Sequence, residues 1–235
     1  MFFRQLLETE TSTYTYILGD PTWHEAVVID PVLETIDEVL RILDLESMRL
    51  AYVLDTHVHA DHVTGASALR AHTGAQVVIS RRAAAPCADV PVDDNDFIVL
   101  GDDVIRVIST PGHTPGCASY RWRDRVFTGD ALLIGGCGRT DFQGGDAGAL
   151  YDSITGKIFT LRDETLVYPG HDYAGRHVSC IGEEKRMNRR LAGKSREEFI
   201  AIMAELHLSK PKKIHVAVPA NQRCGALNIC GVLER

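Results

Sequence analysis

The sequence holds no apolar run approaching the roughly 18 residues that a membrane-spanning helix requires, so no membrane partner is expected. It has no excess of basic residues. Lys and Arg number 25 against 32 Asp and Glu, a formal net charge of -7, and this acidic balance argues against nucleic acid as a partner. No C-x-x-C pair occurs. The cysteines, Cys87, Cys117, Cys137, Cys180, Cys224 and Cys230, are scattered singly. Met1-Phe2-Phe3-Arg4-Gln5 shows neither a secretory pattern nor the bias of a transit peptide, so the chain reads as cytoplasmic, or as already processed. In that setting a disulfide framework is not expected, and the thiols read as reduced and mostly buried. No internal repeat, low-complexity tract or long linker appears. What remains is an ordinary globular composition, 45% hydrophobic and 24% charged over 235 residues, ample for a sizeable core.

Short runs rich in Val, Ile and Tyr, bounded by Gly, Pro or Asp, predict strands. They lie at Thr13 to Leu18, Glu25 to Ile29, Arg49 to Leu54, Ala75 to Ile79, Phe97 to Leu100, Val104 to Ile108, Ala118 to Trp122, Val126 to Thr128 and Thr165 to Tyr168. Thr35-Ile36-Asp37-Glu38 reads as a capping box opening a helix with Val39, Leu40 and Leu43 on its apolar stripe. A second helix is expected after His62 through His72, and a third where Leu150, Ile154, Ile158 and Leu161 repeat. Ser195-Arg196-Glu197-Glu198 is a capping box for a last amphipathic helix carrying Phe199, Ile202, Met203 and Leu206. Strands in runs with helices between them predict a layered α/β protein with mixed sheets.

The sharpest feature is Thr56-His57-Val58-His59-Ala60-Asp61-His62, directly after a predicted strand. Imidazoles and a carboxylate are ligands of Zn, Fe or Mn, and a turn after a rigid strand can aim them at one point. The same logic recurs at Thr110-Pro111-Gly112-His113-Thr114, at Thr128-Gly129-Asp130 and at Tyr168-Pro169-Gly170-His171-Asp172. Each is an apolar strand, a Gly-containing turn and one potential ligand. A single such histidine is usually a satisfied polar group; four strand ends in order are hard to explain that way.

The set His57, His59, Asp61, His62, His113, Asp130 and His171 resembles the metallo-β-lactamase superfamily over nearly all of the chain. The resemblance implies an αββα sandwich of two mixed β-sheets with outer helices. It implies one domain over 1–235, with 176–235 a C-terminal extension of helix and strand. Most members are two-metal hydrolases, and every ligand for two metals is present. Three features point to another branch: Cys117 where glyoxalase II has His, the continuation Arg139-Thr140-Asp141-Phe142-Gln143 after Gly136-Cys137-Gly138, and the tail from Lys210 to Gly225. These resemble the glutathione persulfide dioxygenases.

That resemblance implies a reaction in which glutathione persulfide, O2 and water give sulfite and glutathione. It implies one Fe(II) held by His57, His113 and Asp130, with His59, Asp61, His62 and His171 orienting ligands and waters. The alternative is a two-zinc glutathione thioester hydrolase of glyoxalase II type, for which the resemblance implies His57, His59, His113 and Asp130 at one metal and Asp61, His62, Asp130 and His171 at the second. The resemblance places Arg139, Arg190 and Tyr173 beside the substrate, Tyr173 at its sulfur end, and implies a homodimer. Glutathione carries two carboxylates, which suits Arg partners. Cys137 reads as a packing or oxidation-prone thiol rather than a nucleophile, and Cys224 likewise. Asp55 either orients a ligand histidine or ends its strand.

Overall fold

The structure, a computed structural model, describes residues 1–226. Its strands are β1 (Phe2–Glu8), β2 (Thr13–Asp20), β3 (Glu25–Ile29), β4 (Arg49–Leu54), β5 (Gln76–Ser80), β6 (Val90–Val92), β7 (Phe97–Leu100), β8 (Asp103–Ser109), β9 (Ala118–Trp122), β10 (Arg125–Gly129), β11 (Leu166–Pro169) and β12 (Ser179–Cys180). The helices are α1 (Ile36–Leu45), α2 (Ala66–Thr73), α3 (Ala147–Gly156), α4 (Ile181–Met187), α5 (Arg196–Ala204) and α6 (Ile214–Asn221). One sheet runs β1 to β6 in chain order, and the other runs β12-β11-β10-β9-β8-β7. Both are mixed. β1, β2 and β3 pair antiparallel while β3 to β6 pair parallel; β7 to β10 pair antiparallel while β10 and β11 run parallel.

Strand alternation sorts the side chains into layers. Tyr16, Leu18, Val27, Ile29 and Leu54 face Ile105, Val107, Tyr120, Trp122 and Phe127 between the sheets. Ile17, Val28 and Val53 point the other way, onto Val39 and Leu43 of α1 and Leu69 of α2. Val126 and Val167 meet Leu150 and Ile154 of α3 and Phe199 and Met203 of α5. The result is the expected αββα order. Strands buried on both faces read as continuous apolar runs, which is why β2 is apolar over Tyr16 to Leu18 and β3 over Ala26 to Ile29.

Two local expectations fail. Thr35 makes no cap, because Leu33–Thr35 already winds into a 3-10 turn and the Thr35 hydroxyl donates to the Val32 carbonyl at 3.0 Å. The sequence reads the cysteines as unpaired, with reduced thiols the default for at least four of the six, and one pair departs from this: Cys87 and Cys224, 137 positions apart, form a disulfide. Folding sets the end of the C-terminal segment against the loop before β6, which spacing alone does not reveal. Among the described residues, Cys117 and Cys137 are free and buried, and Cys180 is free and half-buried. Cys230 lies outside the described residues. The Ser195 box forms as expected, with Ser195 and Glu198 bonding reciprocally.

Candidate metal centre

The strand ends converge at one edge of the sandwich. After β4 the chain turns through Asp55 to His62. This turn is pinned between the sheets: the Asp55 amide donates to the Val78 carbonyl at 3.1 Å, the Ala118 amide to the Thr56 carbonyl at 2.8 Å, and the Tyr120 hydroxyl to the Asp55 carbonyl at 2.9 Å. β8 delivers His113, β10 delivers Asp130 and β11 delivers His171. Gly129 makes the turn into Asp130 with φ +49°, where a Cβ would lie 2.4 Å from Thr56 Oγ1, so both conformation and space demand glycine.

All seven sequence-predicted residues meet there. The ligand atoms of His57, His113 and Asp130 lie within 4.8 Å of one another, and so do those of His59, Asp61 and His62. His171 joins the groups: its Nε2 is 3.7 Å from Asp61 Oδ2 and 3.6 Å from Asp130 Oδ1. One nitrogen of each ring is engaged by the protein, which sets the tautomer and leaves the other nitrogen for a ligand. His113 Nδ1 donates to the Arg139 carbonyl at 2.7 Å, His57 Nδ1 to Thr56 Oγ1 at 3.0 Å and His171 Nδ1 to the Ser12 carbonyl at 3.2 Å. His59 Nε2 donates to Asp30 at 3.2 Å and His62 Nδ1 to Asp61 at 2.9 Å. The opposite atoms, His59 Nδ1 and His62 Nε2, are buried with no hydrogen-bond partner, as is Asp130 Oδ1. Unpaired buried acceptors of nitrogen and carboxylate type fit a transition-metal cation.

The electrostatics favour the neutral, cation-binding form at His57 and His62 and the protonated form at His59. Burial, aided by His59 and His113, holds the His57 imidazole well below its usual range and therefore neutral, the form that binds a cation. Burial likewise lowers His62. Burial opposes charging of His59, but Asp30, joined by Asp55 and Asp61, outweighs it and brings the group up to about 9. His171 is raised against its burial by Asp130 and Asp61. Asp61 is buried yet held well below the carboxylate range by His62 and His171.

Two contributors escape sequence reasoning. Asp30, at φ +50°, takes the Thr56 amide at 2.7 Å, the Thr56 hydroxyl at 2.8 Å and His59. It follows β3, so the strand-end signal that exposes His113 was present for it too. Asn221 bonds the His59 and His62 carbonyls and the Thr64 amide from the far end of the chain, with no local signal. Asp55 accepts from the Thr64 hydroxyl at 2.9 Å, and burial pushes its carboxyl up to about 7.

The cluster floors a cleft of about 610 Å³ whose walls include Arg139, Arg190 and Tyr173. The exposed Tyr173 ring stacks on His171, with centroids 5.8 Å apart and planes 5° apart. Arg190 donates to the Cys137 carbonyl at 2.5 Å. Arg139 has most of its donors engaged, by Asp141 and by the carbonyls of Leu208 and Ser209. Cys137 is buried, and burial pushes its thiol up to about 11, which suits packing and not nucleophilic attack.

Two mixed sheets between helices, with an imidazole and carboxylate cluster at their common edge, define a metal-binding protein of the αββα class. Residues 9–171 match the model of the metallo-beta-lactamase superfamily, and the chain belongs to that family. It is 49% identical over 228 residues to the mitochondrial persulfide dioxygenase ETHE1 of Homo sapiens, covering 96% of this chain and 89% of the relative. The crystal structure of ETHE1 from Myxococcus xanthus superposes with a TM-score of 0.95 at 57% identity, over 96% of this chain and all of that one. A hydroxyacylglutathione hydrolase of Anaeromyxobacter dehalogenans is 36% identical over 167 residues, 71% of this chain and 64% of the relative.

Proposed function

We propose that this protein is a persulfide dioxygenase that converts glutathione persulfide, O2 and water to sulfite and glutathione at one Fe(II) held by His57, His113 and Asp130. The observation that carries the proposal is the 49% identity across 96% of the chain to a relative named for that activity. Two imidazoles and one carboxylate are the donor set of non-haem iron oxygenases, which leave neighbouring positions for substrate and O2. When bound, Fe(II) supplies electron density to O2 and a site for the persulfide sulfur. The terminal sulfur gains oxygen from O2 and water and departs as sulfite, while glutathione leaves as the thiol.

The chain's own groups supply position. The Arg139 carbonyl and the Thr56 hydroxyl stop the His113 and His57 rings from turning. His171 lies beside both Asp130 and Asp61 and, with Asp61, His59 and His62, orients the carboxylate and the water that enters the reaction. Arg190 on the cleft wall receives a glutathione carboxylate. Arg139 braces the same wall and offers its remaining donor. Tyr173 closes the mouth above His171 and donates to the sulfur end of the substrate. Held in this way, the reactants meet without a search of orientations. The protein acts as a homodimer in the cytoplasm, in contrast to its animal relatives, whose name places them in mitochondria. Among the described residues no helix is long and apolar enough to cross a membrane.

The test is O2 uptake by anaerobically Fe(II)-loaded protein given glutathione persulfide, with sulfite assayed in the same vessel. Uptake matched by sulfite, and abolished by His113→Ala, is expected. No uptake, with thioester hydrolysis by the zinc-loaded protein instead, would overturn the proposal and return His59, Asp61, His62 and His171 to a two-zinc site.

A further inference from the structure

Asn221 lies at the end of α6, more than 150 positions from the histidine loop, and is almost wholly buried. Its Nδ2 donates to the His59 carbonyl at 2.9 Å and the His62 carbonyl at 2.8 Å, and its Oδ1 accepts the Thr64 amide at 2.9 Å. One amide side chain thus satisfies three backbone groups of the segment carrying His59, Asp61 and His62. That segment lies in no strand or helix of its own, so its backbone depends on such a partner.

The apolar seat of α6 is small. Ala217 and Ala220 pack on Val63 and Leu33, and two alanines bury little surface. The residues just beyond Asn221 are held by other means. The Ser67 amide donates to the Cys224 carbonyl at 2.8 Å, and Gly225 approaches the Thr64 carbonyl so closely that a Cβ would sit 2.0 Å from its oxygen. The Cys87–Cys224 disulfide then ties the segment to the loop before β6. Cys87 is only partly buried, so a reductant can reach the bond from that side.

We infer that residues 214–225 form a strap across the metal loop, in which Asn221 is a positioning residue for His59, Asp61 and His62 and the Cys87–Cys224 disulfide is a thiol-sensitive clamp that keeps it seated. Opening the clamp takes two thiols. Two electrons and two protons pass to the Cys87 and Cys224 sulfurs, and the reductants leave joined as a disulfide. Thiols are the class of compound that the proposed reaction releases. With the strap unseated, three backbone groups lose their partners, the loop that also carries the ligand His57 gains freedom and the cation is held less well. The inference rests on the metal-centre part of the proposed function and is independent of the substrate.

The test uses Co(II) as a spectroscopic probe, with its visible absorption and its rate of release to excess chelator as readouts. Far-UV circular dichroism verifies the fold of each sample. Asn221→Asp keeps the acceptor for Thr64 but removes both donors. It is expected to release Co(II) about tenfold faster or more, in line with the effect of groups that orient metal ligands, and with an altered spectrum. Oxidised wild-type protein given a phosphine reductant should accelerate in the same direction. Cys87→Ser should match the reduced wild type and ignore the phosphine. Release from folded Asn221→Asp at the wild-type rate would overturn the role of Asn221, and a wild type indifferent to the phosphine would overturn the clamp. Should Asn221→Asp not fold, the oxidised and reduced wild type decide alone. If wild-type protein binds Co(II) no better than His113→Ala, the metal centre itself falls and this inference with it; normal wild-type binding with no strap effect removes the inference only.

Discussion

Glu184 gives the most direct test of how the cleft wall is built. Its carboxylate is buried in α4, where three donors converge: the Ser179 hydroxyl at 2.6 Å, the Asn188 amide at 2.8 Å and the Gly135 amide at 2.9 Å. Asn188 also donates to the Gly136 carbonyl at 2.9 Å, so Glu184 fixes the glycine-rich loop both directly and through its neighbour. Replacement by Ala removes the acceptor of the buried Asn188 amide and Ser179 hydroxyl and of the half-buried Gly135 amide, each worth about 1–3 kcal/mol when unpaired, with only a longer contact from Ser179 to Glu183 at 3.3 Å to fall back on. Water entering the gap recovers part of this, leaving an expected loss of about 3–5 kcal/mol. Glu184→Gln keeps one oxygen for Gly135 and Asn188, while its new NH2 meets a Ser179 hydroxyl that turns to accept. Only the charge assistance is lost, about 1 kcal/mol. The assay is urea unfolding of all three proteins, followed by circular dichroism and Trp fluorescence, with the slopes compared to check that the transition is unchanged. An alanine variant within about 1 kcal/mol of wild type, or a glutamine variant as damaged as the alanine one, would refute this account of the loop.

Gly129→Ala should lose at least about 2 kcal/mol and weaken Co(II) binding, because φ is left-handed and the new methyl strikes Thr56, the residue that holds His57; unfolding and metal titration check both effects. In native oxidised protein at pH 8, iodoacetamide should modify Cys180 but not Cys117 or Cys137, whose thiols burial pushes up to about 12 and about 11; peptide mass spectrometry reads the sites before and after denaturation. Ser195→Ala removes the hydroxyl that accepts the Glu198 amide in a working capping box at the start of α5 and should cost about 1 kcal/mol in urea unfolding with persulfide turnover unchanged. Thr35→Ala, which carries the same sequence signature but makes no cap, should cost less in the same assay.

The residues whose roles depend on their immediate neighbours were legible in the chain. Val- and Ile-rich runs ending in a Gly turn and a His or Asp located His57, His113, Asp130 and His171, because a strand end and its turn are local structures with local signatures. Apolar periodicity found the core helices for the same reason. β1, β6 and β12 were missed: β1 and β12 sit at sheet edges where a partner strand rather than their own pattern defines them, and β6 is a three-residue strand at the edge of its sheet. Thr35 had the right letters for a cap, but the turn before it took the hydroxyl.

The sequence by itself determined the candidate ligand types, their order and the layers that carry them. Tertiary structure decided what holds those ligands still. Asp30 reaches Thr56 and His59 across 26 and 29 positions, Asn221 reaches His59 across 162, and Cys87 reaches Cys224 across 137. Hydrogen bonds and disulfides act over a few ångströms with no regard to chain distance. Which residues share them therefore follows from the packing of the two sheets and the return of the C-terminal segment, and a one-dimensional pattern carries no record of either.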